Sequence, residues 1–96
     1  RIRLVAGEEV EFVHTDLAGV QVVGVQRQGV TELSLKILQE RTSLMRCHRQ
    51  FLVNLDQIAE IELLDNGAAE IITCSGRRVP VSRRHLREMK DRLLIP

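Results

Sequence analysis

Residues 46–54, with the sequence RCHRQFLVN, place four polar side chains directly before three apolar ones. The polar members are Arg46, His48, Arg49 and Gln50. Charged and polar heads stay hydrated or paired, whereas the apolar residues behind them must be buried. An arginine can bind guanine bidentately, and a histidine or glutamine can contact bases or phosphates. The segment therefore indicates a rigid cationic contact for an anionic partner, and we infer that this partner is DNA.

A second basic cluster surrounds the start of the last predicted helix, behind the helix N-cap Ser82. Arginines in a first helical turn oppose the helix dipole, at a cost of roughly 0.3–1 kcal/mol each. A phosphate bound at that helix start would make the arginines favourable, because the backbone N–H groups and the guanidinium groups would both bind its negative charge. We therefore predict phosphate or base contacts from the arginines of this region, namely Arg77, Arg78, Arg83, Arg84 and Arg87.

The distribution of charge carries more information than the net charge of +1. Residues 56–70 contain five acids and no lysine or arginine, whereas residues 77–92 contain seven basic residues against two acids. A local basic field of this kind attracts an anionic partner even when the total charge is small. A solvated helix face is the alternative explanation of the basic region.

Composition excludes several classes of protein. No apolar run approaches the roughly 20 residues of a membrane helix, and we expect no signal peptide. The two cysteines, Cys47 and Cys74, lack the spacing of a zinc site or a disulfide scaffold, so a reduced cytoplasmic setting is expected. Phe12 and Phe51 are the only aromatic residues apart from histidine, which argues against a base-stacking binder of single strands.

Catalysis finds little support in the sequence. The histidines His14, His48 and His85 fall in separate predicted elements, and no GxSxG, HExxH or phosphate-binding glycine motif occurs. Helix capping explains Ser82, which lies near His85. We therefore expect no enzyme activity, no cofactor and no metal site, and a small hydrolase is the least favoured interpretation.

The patterning predicts a mostly β domain with two short helices. Predicted strands cover residues 1–6, Val10–His14, Val20–Gln26, Phe51–Asn54, Ile58–Leu64, Ala69–Thr73 and Arg78–Val81, and predicted helices cover Leu33–Arg41 and Arg83–Leu93. Turns are expected at residues 7–9, residues 16–19, Gly29 and residues 75–76. In the strand over residues 58–64, Ala59, Ile61 and Leu63 are predicted to share a face, opposite two glutamates. Asn66-Gly67 favours a type I′ hairpin, and Pro80 implies an edge strand.

The two polar motifs resemble those of the LytTR DNA-binding domain. Members of that family carry an R-x-H-[RK]-S-[FY]-[LV]-[VI]-N segment, followed by strands and a [LV]-P-V-S-[RK]-[RT] segment that opens the last helix. Residues 46–54 and 79–84 of this chain are similar to those two segments, in the same order and across essentially the whole length. The resemblance implies an elongated antiparallel β array and a cytoplasmic bacterial transcriptional regulator.

The resemblance also implies how DNA is bound. Family members insert loop side chains into successive major grooves of direct repeats near promoters, and the matching positions here are Arg49, Arg84 and the loop Gly19–Gln21. This chain departs from the family at Val20, which cannot hydrogen-bond a base, so Gln21 is the substitute. Gln50 replaces the usual serine. We expect residues 1–96 to be one domain, the C-terminal output domain of a phosphorelay response regulator with a receiver domain, and we also expect a dimer on DNA.

Two hypotheses remain open at this stage. A β-rich protein-interaction module that uses the acidic hairpin around Asp65 is the alternative to DNA binding. Cys47 lies between Arg46 and His48, so its thiolate would be favoured by flanking charge and its oxidation would weaken binding. A partly buried, inert thiol is the opposing interpretation of Cys47.

Overall fold

Segments rich in valine and isoleucine form antiparallel strands, which are the main secondary structure of the described residues. The computed structural model describes residues 9–93, which measure 45 × 23 × 22 Å along their principal axes. This elongated shape and the mostly β content confirm the predicted fold class. The elements are β1 Val10–Asp16, β2 Gly19–Gly24, β3 Gln28–Thr31, α1 Leu35–Arg41, β4 Met45–His48, β5 Phe51–Val53, a 3-10 turn Leu55–Gln57, β6 Ile58–Leu63, β7 Ala69–Thr73, β8 Arg78–Val81 and α2 Arg83–Leu93.

The strands form two antiparallel sheets, with orders β3-β2-β1-β5-β4 and β6-β7-β8. One face of the larger sheet packs against α1 through a core that includes Val13, Leu35 and Leu52. Its other face packs against the smaller sheet and α2 through a larger core, whose buried residues are Phe12, Val23, Met45, Cys47, Val53, Ala69, Ile71, Val79, Val81, Leu86 and Met89. The larger sheet is therefore the middle layer, with apolar side chains on both faces.

A fully buried carboxylate joins the two sheets. Glu11 lies at a register shift in β1, and its side chain accepts hydrogen bonds from three residues around the β7–β8 turn. The donors are Ser75 Oγ at 2.7 Å, Arg77 Nη1 at 2.8 Å and Thr73 Oγ1 at 3.1 Å. Burial raises the pKa of Glu11, but these hydrogen bonds outweigh it and leave the pKa below its ordinary value. The ionised carboxylate therefore fixes one sheet against the other.

The structure contains two strands that the sequence analysis missed. Residues 28–31 form β3, an edge strand, although a turn was predicted at Gly29. Met45–His48 form β4, the opposite edge strand, although the polar side chains there resembled those of an exposed loop. In β4 Met45 and Cys47 are buried while the residues between and after them are half-buried. The period-2 alternation was therefore present, but two polar side chains among four residues, Arg46 and His48, made it hard to recognise.

Most other predicted elements are confirmed, with local corrections. α2 matches its predicted bounds. α1 begins at Leu35, after the N-cap Ser34, rather than at residue 33. β2 ends at Gly24 rather than at Gln26. Pro80 lies on the edge strand β8, as predicted. Residues 1–8 lie outside the described residues, and with them the strand predicted over residues 1–6 and most of the following turn.

The β6–β7 hairpin differs from its prediction in two respects. A register shift after Ile58 leaves Ala59 without a partner in β7 and exposed, so Ala59 does not share the buried face with Ile61. The loop has three residues rather than two, because the N–H of Leu64 donates to the carbonyl of Ala68 at 3.0 Å, while the N–H of Gly67 donates to the carbonyl of Leu64 at 3.1 Å. Gly67 has φ +88°, which suits the final position of a three-residue hairpin loop.

Candidate nucleic-acid interface

The turn between β4 and β5 holds Arg49 and Gln50 outside the sheet. The N–H of Gln50 donates to Nδ1 of His48 at 3.1 Å, and Arg46 Nη1 donates to the carbonyl of Arg49 at 2.6 Å. Behind the turn, the Phe51 ring lies 5.6 Å from that of His48 in an edge contact. A polar turn is thus anchored on an apolar ring, as the sequence predicted.

Asn54 ends the same segment and has a structural role. Its side-chain amide donates to the carbonyl of Val10 at 2.8 Å, and its oxygen accepts from the N–H of Asp56 at 3.0 Å. Asn54 therefore ties local backbone together.

The two sequence motifs meet at one contact between sheet edges. The N–H of Ser82, just before α2, donates to the carbonyl of Cys47 in β4 at 3.0 Å. This bond places the first turn of α2 beside the β4–β5 turn. A polar cleft of about 360 Å³ results, lined by Gln39, Arg46, Arg49, Arg84, His85 and Glu88.

The cleft is basic, and its arginines are not neutralised by ion pairs among the described residues. Three guanidinium groups face one carboxylate, that of Glu88, and none of these groups forms an ion pair within 4 Å in residues 9–93. Gln39 on α1 accepts from Arg46 Nε at 3.1 Å, which holds the Arg46 side chain across the cleft. Such a cleft can bind a phosphate or the edge of a guanine.

His85 lines the cleft, and its backbone N–H is the donor in the N-cap of α2. Ser82 Oγ accepts from the N–H of His85 at 3.3 Å and lies 2.6 Å from His85 Nδ1. Burial lowers the pKa of His85, the nearby Arg84 lowers it further, and Glu88 opposes both. His85 is therefore neutral near pH 7, and Ser82 caps the helix as predicted.

The β1–β2 hairpin lies beside the same turn. The N–H of Thr15 donates to the carbonyl of Gln50 at 3.0 Å, and the ring of His14 stacks on Phe51 at 5.4 Å. Residues Gly19–Gln21, predicted as a loop from the resemblance, are instead the start of β2, which lies on the other side of β1 from β5 and the β4–β5 turn. Val20, however, packs against the α1-side core, whereas Gln21 pairs across from His14.

The remaining predicted arginines lie away from the cleft. Arg78 Nη1 is 2.7 Å from a Glu70 carboxylate oxygen and 3.6 Å from one of Glu62, and these pairs raise its pKa. Arg83 lies against the hairpin loop, since a Cβ on Gly67 would be 3.2 Å from Arg83 Cδ. Arg87 is exposed on α2, outside the cleft lining. Arg77 is bonded to Glu11, so its guanidinium serves the fold.

Cys47 contradicts the hypothesis of a reactive thiolate. Its relative exposure is 0%, and burial raises its pKa to about 12, although the charge of Arg46 acts in the opposite direction. The alternation of β4 turns this thiol into the core while the residues on either side face outward. Burial and the raised pKa therefore favour the inert-thiol interpretation.

Sequence reasoning missed two cleft residues, Gln39 and Glu88. Neither belongs to a recognisable motif, and each enters the cleft only because α1 and α2 pack beside β4. Their spacing along the chain gives no signal of this proximity. Within residues 9–93, no group of three His, Cys, Asp or Glu side chains is placed to hold a metal ion. Neither helix in that range is long and apolar enough to cross a membrane.

Comparison with known proteins identifies the family. The family model described as the LytTr DNA-binding domain matches residues 1–94. An uncharacterized response regulatory protein of Yersinia pestis is 55% identical over 93 residues, which cover 97% of this chain and 39% of that protein. The transcriptional regulatory protein BtsR of Escherichia coli K12 is 49% identical over 92 residues, covering 95% of this chain and 38% of BtsR.

A solved structure agrees with these sequence matches. The LytTr DNA-binding domain of a Bacillus cereus response regulator superposes with a TM-score of 0.85 at 25% identity, covering 93% of this chain and 84% of that one. This chain spans about two-fifths of the length of the curated relatives that it matches. The chain therefore belongs to the LytTR family of DNA-binding domains of bacterial transcriptional regulators, a family of non-enzymatic domains.

Proposed function

We propose that the cleft of Arg46, Arg49 and Arg84 is the surface with which this domain reads double-stranded DNA in a sequence-specific manner. The supporting observation is that two distant basic motifs meet in one cleft whose arginines have no ion-pair partner within residues 9–93. Arg49 and Arg84 are the proposed base contacts. His48, Gln50, Arg83 and Arg87 are proposed as flanking contacts with the phosphate backbone.

Arg78 is a proposed contact of a different kind. Its guanidinium is shared with Glu70 and Glu62, so a phosphate would have to compete with two carboxylates. Its contribution is therefore expected to be smaller than that of Arg87, which forms no ion pair within 4 Å in residues 9–93.

We also propose that the domain contacts successive major grooves of a direct-repeat site. The long axis of 45 Å exceeds the roughly 34 Å of one turn of B-DNA, so one copy is long enough to reach two neighbouring grooves. The relatives are about two and a half times longer than this chain, and their names include response regulators. We therefore propose that the domain is the cytoplasmic output part of a response regulator with a receiver domain, and that two copies bind a repeat as a dimer.

One feature favours a protein-interaction function as the second candidate. An apolar groove of about 490 Å³ lies between β6 and α2, and Leu63 at the end of β6 is 64% exposed. The acidic hairpin beside it is partly neutralised, because Glu62 and Glu70 pair with Arg78. This face does not use the basic cleft.

Selection of bound sequences from a random duplex library tests the proposal. An enriched motif that recurs at a fixed spacing is the expected result for the parent domain. Arg49→Ala should lose about 1–3 kcal/mol on that motif and relax the preference at one base position. Lys36→Ala on α1, outside the cleft, is the matched control. No enrichment at moderate salt would favour the interaction module.

A further inference from the structure

The tip of the β1–β2 hairpin carries a fully exposed leucine. Leu17 has a relative exposure of 109%, the largest among the exposed large hydrophobic residues of the described chain. Ala18 beside it is also exposed. Single exposed apolar residues are common on protein surfaces, so exposure alone assigns no role. The position and rigidity of this tip are what distinguish it.

The backbone at the tip is fixed by local bonds. The Asp16 carboxylate accepts from the N–H of Ala18 at 2.7 Å, and Asp16 pairs with Gly19 as the last pair of the β1–β2 ladder. Gly19 has φ +117°, a conformation that residues with a Cβ rarely adopt. A fixed turn presents Leu17 with less loss of conformational entropy on binding than a mobile loop would.

The tip also adjoins the proposed DNA surface. Thr15 donates to the carbonyl of Gln50 in the β4–β5 turn at 3.0 Å, and His14 stacks on Phe51 at 5.4 Å. Leu17 therefore projects from the same end of the larger sheet as Arg49. Val20, the loop residue indicated by the family resemblance, instead packs against the core.

The residue types at the tip argue against contacts with phosphates or with the hydrogen-bonding groups of bases. Residues 14–26 contain no lysine or arginine, so this hairpin lacks the usual cationic contacts to phosphate. The acid at the tip, Asp16, already accepts the Ala18 N–H. A leucine side chain cannot hydrogen-bond a base, and the apolar group that duplex DNA displays in its major groove is the C5-methyl of thymine.

We propose that Leu17 contacts the 5-methyl group of a thymine in the major groove and thereby selects that base. This inference rests on the proposed function, and it names the base feature that the hairpin recognises. Leu17 would act as a specificity-determining residue, since removal of one methyl group from the DNA should remove its contribution.

A double-mutant cycle between protein and DNA tests the proposal. Binding of the parent and Leu17→Ala would be measured on the selected duplex and on duplexes in which each thymine is replaced in turn by uracil. At one position, uracil should weaken parent binding about fourfold, which is the effect of burying one methyl group. Leu17→Ala should bind the thymine and uracil forms of that position equally.

Leu63→Ala is the matched control, since Leu63 is an exposed leucine in the smaller sheet. It should keep the parent's response to uracil. Unchanged binding by Leu17→Ala, or a thymine preference that persists in it, would overturn the inference and leave the proposed function standing. A parent domain that binds no duplex would overturn both.

Discussion

The guanidinium group of Arg46 is fixed in position, because it donates hydrogen bonds to two groups of the protein. Nε donates to Gln39 on α1 at 3.1 Å, and Nη1 donates to the carbonyl of Arg49 at 2.6 Å. The bond to Gln39 fixes Arg46, and the bond to the carbonyl fixes the turn that presents Arg49. Arg46 is thus a positioning residue as well as a cation of the cleft.

Replacing Gln39 by methionine tests this positioning role, because methionine keeps the length of the side chain and removes its acceptor. The free energy of DNA binding should become less favourable by about 0.5–1.5 kcal/mol, the usual contribution of one hydrogen bond. The same change in an Arg46→Ala background should have no further effect. Binding isotherms on the selected duplex measure these losses, and Gln28→Met on β3, away from the cleft, is the control. Equal losses in both backgrounds would mean that Gln39 acts on DNA without Arg46.

Alkylation of the native protein tests the assignment of Cys47. Its burial and its pKa of about 12 leave almost no thiolate at neutral pH, so a thiol reagent should modify Cys74, which is exposed, and spare Cys47. Mass spectrometry after reaction under native conditions should show one modified cysteine, with DNA affinity unchanged. Rapid modification of Cys47 with loss of binding would restore the redox hypothesis.

The start of α2 combines a stabilising cap with charges that oppose the helix dipole. Ser82→Ala should lower the free energy of unfolding by about 0.5–2 kcal/mol, because Ser82 caps the helix and contacts His85. Thermal melts measure this loss. An unchanged melting temperature would show that the cap is dispensable.

Arg84→Glu should separate stability from binding. The new acid near the helix N-terminus gains about 0.3–1 kcal/mol from the dipole, and its proximity to Glu88 at i+4 costs about 0.2–0.5 kcal/mol. The free protein should therefore be as stable as the parent or slightly more so, while DNA binding should be abolished by the like charge of phosphate. A variant that is less stable and still binds would make Arg84 a structural residue.

The predictable elements are those whose local signals agree with their environment. β7, β8 and α2 were correctly bounded because turn residues, alternation and a capping serine all pointed to the same structure. β4 was missed because it carries polar side chains on a half-buried edge. β3 was missed because its Gly29 was interpreted as a turn residue. Both lie at the edges of the larger sheet, and their strand conformation depends on pairing with distant residues.

The site shows the same division. Arg49 and Arg84 could be named from motifs, but their shared cleft depends on the bond between Ser82 and Cys47, which no spacing reveals. Gln39 carries no motif, and only the packed structure places it beside Arg46. Leu17 also carries no motif, and only the structure shows that it is fully exposed at the tip of the β1–β2 hairpin. The environment of the Cys47 thiol was left open, because the sequence shows neighbouring charges but not the side of the strand on which the thiol lies.

At the scale of the whole molecule, the buried Glu11 couples the two sheets and makes stability depend on pH. Its pKa is lowered in the folded state, so its stabilisation is present above the ordinary value of 4.5 and is lost as pH falls through the folded value. Glu11→Gln should lower the free energy of unfolding by about 1–3 kcal/mol at pH 7. Denaturant titrations should show this difference shrinking below pH 4.5. A constant difference at all pH values would show that Glu11 is not ionised in the fold.

The salt dependence of DNA binding is the most direct test of the proposal that this domain binds duplex DNA through its basic surface. On the selected duplex, log Kd of the parent should rise steeply with log salt, because each neutralised phosphate contributes roughly 0.9 to the slope. Arg87→Ala should reduce the slope by about one unit and keep the base preference, and Lys36→Ala should leave both unchanged. A flat salt response in the parent domain would contradict the account.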